Sequence, residues 1–214
     1  MIECSKRLQS IIEWIDSDVI ADVGCDHAYV AVEAVLENKA KKAYACDIAS
    51  GPLEHAKKTI ETYHVEQQVS CILMNGIENL PDDVRQIVIA GMGSSTIISI
   101  LQEGIKEGVT LLLSPHKDAH LLREYLMNAG FTIVKEKIIQ EDTHFYPVMK
   151  VCKGKQKISE ADIYYGVNVE QSEAYDRFLS YEYSKWTSIL KRIPTDKQSE
   201  IAKRIDLLKN RMSY

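Results

Sequence analysis

"VIADVGCDHAYVA", Val19 to Ala31, decides how the rest of the chain is read. It opens with a short apolar run, Asp22-Val23-Gly24 then begins a tight turn, and a helical pattern follows. That order of strand, turn and helix is how a nucleotide-binding α/β sheet starts. The turn nevertheless departs from a phosphate loop. Asp26 and Ala28 fill places where such loops put further glycines, so the backbone is not cleared for the bulk of a pyrophosphate.

Working outward, the upstream residues Leu8, Ile11, Ile12 and Ile15 fall at the i, i+3, i+4, i+7 spacing of an opening helix. Downstream, the runs KAYAC, VSCILM, QIVIAG and VTLLLS alternate with helical patterns such as PLEHAKKTIETYH and DAHLLREYLMNAG. Short β-branched runs alternating with amphipathic helices predict parallel strands with crossover helices on both faces of one sheet. The alternation then stops. FTIVKEKIIQED and THFYPVMKVC follow one another with no helix between them, the pattern of an antiparallel hairpin, and Pro147 in the second run favours an edge position or a bulge.

The expected architecture is therefore α/β: a mostly parallel sheet with a terminal antiparallel hairpin over residues 1–156. An antiparallel last strand fits the sheet of Rossmann-like class I methyltransferases better than the all-parallel sheet of a dehydrogenase. After the polar stretch KGKQKISEAD, residues 157–214 change period. Leu179, Tyr183, Trp186, Leu190 and Ile193 form one apolar seam, and after a break at Pro194 come Ile201, Ile205, Leu208 and Met212. Two such seams predict a helical hairpin, either a projecting coiled-coil arm or a helix pair packed back on the sheet domain.

Composition bounds the class. The 214 residues, 45% hydrophobic and 27% charged, suffice for one α/β domain with an appendage. No apolar stretch is long enough for a membrane span, and the N-terminal residues lack a secretory core, so a cytoplasmic location and a monomer are expected. Five scattered cysteines without a C-x-x-C pair argue for reduced thiols and against zinc. His116 and His120 would share a face only if the helix began before them, and Pro115 sets His116 in a strand-to-helix turn instead. No metal is expected. The net charge of −5 discourages a polyanion partner, but Ser184 to Tyr214 carries eight basic residues against three acidic ones. That tail tilts the expectation toward RNA contact, with a solvated charged face as the plainer alternative.

In an open parallel sheet the ligand lies across the carboxyl ends of the strands, so the residues after each apolar run carry the chemistry. Asp22-x-Gly24 suits a smaller anion than pyrophosphate, such as the carboxylate of a methionine-like moiety, and a nearby acid can pair with that moiety's ammonium. S-adenosylmethionine carries both groups, together with a sulfonium that carboxylates stabilise. Asp26 also reads plainly as a helix cap. Asp47 ends the second run, where an acid accepts hydrogen bonds from two ribose hydroxyls. Asn75-Gly76 offers an amide to an adenine edge, or is an ordinary turn. Ala90-Gly91-Met92-Gly93 lets backbone approach a ligand closely, and Ser114-Pro115-His116 forms a rigid wall.

Taken together, SKRL (Ser5 to Leu8), D-x-G-x-DHAY (Asp22 to Tyr29), Asp47 followed by Gly51-Pro52, Asn75-Gly76 and IAGMG (Ile89 to Gly93) resemble the bacterial tRNA adenine-22 N1-methyltransferase family, TrmK. The resemblance runs over essentially the whole chain, tail included. It implies methyl transfer from S-adenosylmethionine to N1 of an adenine in the D-arm region of tRNA. It implies a cofactor set of Asp22, Gly24, Cys25, Asp26, His27, Asp47, Ile48, Asn75, Gly76, Gly91 and Met92. Asp26, Ser114 and His116 are the catalytic candidates, and Lys6, Arg7, Lys185, Lys191, Arg192, Lys203 and Arg204 the RNA-binding ones. The chain departs from the family pattern at Gly93-Ser94, at Ser114-Pro115-His116 and at Asp47, where the family carries Gly-Gly, Gln-Pro-Asn and usually Glu. Two other functions stand beside this one: a catalytically silent tRNA-binding protein, and an NAD-dependent oxidoreductase.

Overall fold

The computed structural model describes residues 2–195 and 198–212. Five parallel strands come first: β1 (Val19–Val23), β2 (Lys42–Asp47), β3 (Val69–Leu73), β4 (Gln86–Met92) and β5 (Thr110–Pro115). The hairpin β6 (Phe131–Glu141) and β7 (His144–Lys153) completes a seven-stranded sheet of order β3-β2-β1-β4-β5-β7-β6. β7 runs antiparallel to both of its neighbours. The order reverses at β1, which pairs with β2 on one side and β4 on the other, and this opens a crevice at the carboxyl ends of those strands.

Alternate side chains of each strand feed two apolar layers. Ile20, Ala43, Val88 and Leu112 pack beneath α1 (Lys6–Glu13), α2 (Tyr29–Leu36) and α3 (Ser50–Thr62). Ala21, Val23, Ile89 and Leu113 face α4 (Ser94–Leu101) and α5 (Ala119–Asn128). Ser5 caps α1 by accepting from the Leu8 amide, which fixes where the helix starts beside the crevice.

Pro147 stands in an interior strand, contrary to the edge expected for it. The pairing of β7 with β5 covers only Met149 to Val151, so Pro147 lies beyond it and bonds on that side are not required. Nor is there a bulge at Pro147. The register shift of the hairpin falls between Ile133 and Lys135, leaving Pro147 in regular pairing with Ile138.

Beyond the sheet come α6 (Glu160–Tyr165), α7 (Glu173–Leu190) and α8 (Gln198–Met212). Ser159 and Asp162 form a reciprocal capping box at the start of α6. α7 and α8 make the expected hairpin, and its root packs back on the sheet. Tyr165, Tyr175, Leu179 and Leu208 are buried against Ile138 of β6. Arg211 fastens α8 there, donating through Nε to the Tyr175 hydroxyl at 2.9 Å, through Nη1 to Asp162 at 2.7 Å, and to the Gly166 carbonyl. The far end of α7 carries Lys191 and Arg192 in exposed positions, while Asp196 and Lys197 lie outside the described residues.

Candidate functional site

The β1–α2 turn is built from left-handed backbone. Gly24, Asp26 and Ala28 have φ of 75°, 44° and 58°, a conformation that costs energy for the two residues carrying a Cβ and that clusters at ligand sites. The amides of Gly24 and Cys25 donate to the Cys46 carbonyl at 2.8 and 3.1 Å, tying the turn to β2. A Cβ at Gly24 would stand 2.0 Å from Met92 Cε, so the glycine is what lets β4 close on the turn. Asp26 does not cap α2. The cap position is Ala28, with no side-chain acceptor, and Asp26 is exposed with its carboxylate 3.7 Å from His27 Nε2.

This turn, the ends of β2 and β4 and the residue after β5 enclose a cleft of about 470 Å³. Of the residues expected there, Asp22, Gly24, Cys25, Asp26, His27, Asp47, Gly91, Met92 and His116 all line it. Asp22 is buried, and burial, softened by the Ala31 amide and reinforced by Asp47, pushes its carboxyl up to about 7. Burial likewise pushes the Cys46 thiol up to about 12 and Cys25 higher still, so both stay uncharged. Asp47 accepts from the Ala49 amide at 2.9 Å. Gly91, at φ 82°, turns the end of β4, and the Met92 carbonyl accepts from the His116 amide at 2.8 Å. The His116 ring meets Tyr146 edge-on at 5.7 Å between centroids, and burial and the nearby Arg7 hold its pKa below the usual histidine range.

Four expected residues are not in this lining. Ile48 follows Asp47 but is 68% exposed. Asn75 is exposed and Gly76 makes a turn, two residues past the Met74 amide that donates to the Asp47 carbonyl. There the Glu103 carboxylate accepts from the Ile77 and Glu78 amides at 2.7 and 3.2 Å, filling the space a Cβ of Gly76 would need. Ser114 pairs with Ala90 inside the sheet, wholly buried, with its hydroxyl unpartnered among the described residues. Its alternation with the strand neighbours turns it into the protein, away from the cleft wall it was expected to form.

Arg7 belongs to the cleft instead of to an outer basic surface. Its guanidinium lies 4.8 Å from the centre of the Tyr146 ring, and its Nε and Nη1 are buried without a hydrogen-bond partner among the described residues. Lys6, next to it, is exposed. On the tail, Lys185 pairs with Glu182 at 2.9 Å and Lys203 with Glu160 at 2.5 Å. Arg204 is placed between the Tyr164 and Trp186 rings. Among the described residues Asp26, His27 and His55 bring ligand atoms within 4.8 Å of one another. The His27 and His55 rings are stacked, 4.9 Å between centroids and 9° from parallel.

An open sheet with an antiparallel strand inserted before its edge, and a carboxylate-rich, glycine-opened cleft at its switch point, define a Rossmann-like S-adenosylmethionine-dependent methyltransferase. Residues 20–213 match the model of the TrmK family, described as tRNA (adenine(22)-N(1))-methyltransferase, and the chain belongs to that family. The Bacillus subtilis (strain 168) tRNA (adenine(22)-N(1))-methyltransferase is 31% identical, the match covering 97% of this chain and 96% of that one. M. capricolum TrmK, solved with S-adenosyl-homocysteine, superposes with a TM-score of 0.86 at 31% identity, covering 99% of both chains. Streptococcus pneumoniae Sp1610, a protein solved with S-adenosyl-L-methionine, gives the same TM-score and identity over 99% of this chain and 100% of that one. Among the described residues no helix is long and apolar enough to cross a membrane.

Proposed function

We propose that this protein methylates N1 of adenine 22 in tRNA, using S-adenosyl-L-methionine, and does so in the cytoplasm as a monomer. The match of residues 20–213 to the family carries the proposal. The cleft suits the cofactor on independent grounds. The Arg7 donors, without a partner among the described residues, and the buried Asp22 carboxyl, which a cationic group would ionise, share one space, the demand of an amino-acid zwitterion. Gly91, with left-handed backbone, keeps the end of β4 free of a side chain beside the cleft, while Gly24 makes room for the Met92 side chain that lines it.

The bound cofactor supplies an electrophilic sulfonium methyl. Adenine N1 carries an in-plane lone pair, so its attack forms the N–C bond while the S–C electrons return to sulfur, and no proton leaves the nucleophile. The chain's task is then positioning and charge. Asp47 fits the ribose hydroxyls, Asp22 and Asp26 keep the cleft negative toward the sulfonium and toward the charge developing on the ring, and neutral His116 adds no opposing cation. N1 lies on the pairing edge, so the target base must leave its partner to enter. Residues 157–214, with Lys191 and Arg192 at the far end of the hairpin, serve as the arm that grips the RNA backbone.

The test is methyl transfer from labelled cofactor to unmodified tRNA, with mass mapping of the modified nucleotide. Incorporation at adenine 22 is expected. Binding of tRNA without incorporation would make the protein a silent tRNA binder, and binding of NAD in preference to S-adenosylhomocysteine would overturn the cofactor assignment.

A further inference from the structure

A second cleft, of about 360 Å³, lies where the carboxyl end of β5 meets α6, α7 and α8. Its walls carry the rings of Phe145, Tyr164, Phe178 and Trp186, brought together from β7, α6 and α7. The Arg204 guanidinium from α8 sits 4.2 Å from the Tyr164 centroid and 4.6 Å from that of Trp186. Its Nε is buried and has no hydrogen-bond partner among the described residues. His116 lines this cleft and the cofactor cleft alike, so the two are joined at a single side chain.

The charges in the lining identify the occupant. Glu182 is engaged within the wall, accepting from Trp186 Nε1 at 2.8 Å and from Lys185 at 2.9 Å. Arg123 at the base is neutralised by Glu136. Lys117 is offset by its neighbour Asp118, and Arg204 meets the exposed Glu200 only through Nη2 at 3.7 Å, so the space is aromatic with one guanidinium whose Nε is still to be satisfied. An apolar helix of a protein partner has no use for a planar guanidinium with a spare donor. An unstacked nucleobase does: it stacks on rings and on guanidinium planes, and its nucleotide brings oxygens for the donor.

We propose that this cleft holds a second, unstacked base of the same RNA strand, beside the one presented to the methyl donor. The assignment rests on the proposed action on tRNA and adds a stacking subsite built from Tyr164, Trp186 and Arg204. Through His116 the two bases would be read together, so a strand that cannot splay both would be a poor substrate.

The experiment uses the full chain, saturated with S-adenosylhomocysteine and titrated with unmodified tRNA while tryptophan emission is followed. The sequence has two tryptophans, and Trp14 is buried in the core, so a change on RNA binding reports Trp186. Quenching is expected. Trp186→Ala should weaken tRNA binding about tenfold, the range of one lost stacked base, with cofactor-product affinity unchanged, and Trp186→Phe should restore it to within about threefold. Arg204→Gln should give a similar loss, and it carries the test if Trp186→Ala fails to fold. Absence of quenching, unchanged RNA affinity in these variants, or a loss that Trp186→Phe does not rescue would each overturn the subsite. Wild-type protein that binds tRNA without methylating it would instead overturn the proposed activity, leaving the stacking result to stand by itself.

Discussion

The Arg123 guanidinium and the Glu136 carboxylate, both buried, meet at 2.5 Å between α5 and β6. Each also holds the segment that leads into the arm. Arg123 Nη1 donates to the Ile163 carbonyl at 2.8 Å, and Glu136 accepts from the Val167 amide at 2.9 Å. Removing one partner of a buried pair strands the other charge, at a cost of about 3–5 kcal/mol. Glu136→Gln should therefore lower the unfolding free energy, measured by urea denaturation, by that order. Limited proteolysis should then cut first between residues 154 and 172; a variant as stable and as resistant as wild type would show that the pair does not anchor the arm.

Asp22 couples cofactor binding to pH. Its carboxyl rises from 3.8 to about 7 in the folded protein, so folding favours the protonated form. The contribution of this residue to stability is intact below about 4 and is lost as pH rises through about 7. A cationic ligand group requires the ionised form and must displace that proton below 7. Affinity for S-adenosylmethionine should therefore fall by up to about tenfold per pH unit between 7 and 5.5, and Asp22→Asn should bind weakly with a flat profile. Calorimetric titration at four pH values separates the two curves.

Gly24→Ala meets two obstacles, the φ of 75° and the Met92 methyl 2.0 Å from the new Cβ. The flexible end of Met92 must then shift, and Met92 lines the cleft. The variant should lose roughly 1–2 kcal/mol of stability and at least tenfold in cofactor affinity. Cofactor affinity equal to wild type would mean that Met92 does not set the width of the cleft.

Ser114 carries a buried, partnerless hydroxyl and does not line the cleft. Ser114→Ala removes an unsatisfied polar group without opening a cavity, so stability should rise by about 1 kcal/mol and kcat should stay within about threefold. A large fall in kcat would return this residue to the catalytic list.

Asp26 is exposed at the cleft mouth and caps no helix, which leaves it free to act on a charge that develops during transfer. Asp26→Asn is expected to lower kcat about tenfold while changing the KM for the cofactor less than about threefold. The reverse split would confine Asp26 to cofactor binding.

The strands were legible because they are short apolar runs, most of them closed by a glycine, an acid or a proline, and the arm because its apolar spacing survives the break at Pro194. The acids and glycines of the cleft were legible for the same reason: they stand at or just after the carboxyl ends of strands. Ser114 misled because it too ends a strand, yet alternation turns it inward. Arg7, Arg123 and Glu136 look like ordinary surface charges in the sequence, and their burial follows only from how α1, α5 and β6 pack. The second cleft had no linear signature, since Phe145, Tyr164, Trp186 and Arg204 come from four separate elements.

The insertion of β7 between β5 and β6 also dictates an order of assembly. Until residues 149–151 are available, β5 presents the unpaired backbone of Leu111 to Leu113 as an open edge. The strand that closes it arrives last among the seven and already carries β6 on its other side. On a ribosome, the five-stranded nascent sheet would wait with a sticky flank while the hairpin zips, then accept it in one docking step that also delivers the root of the arm.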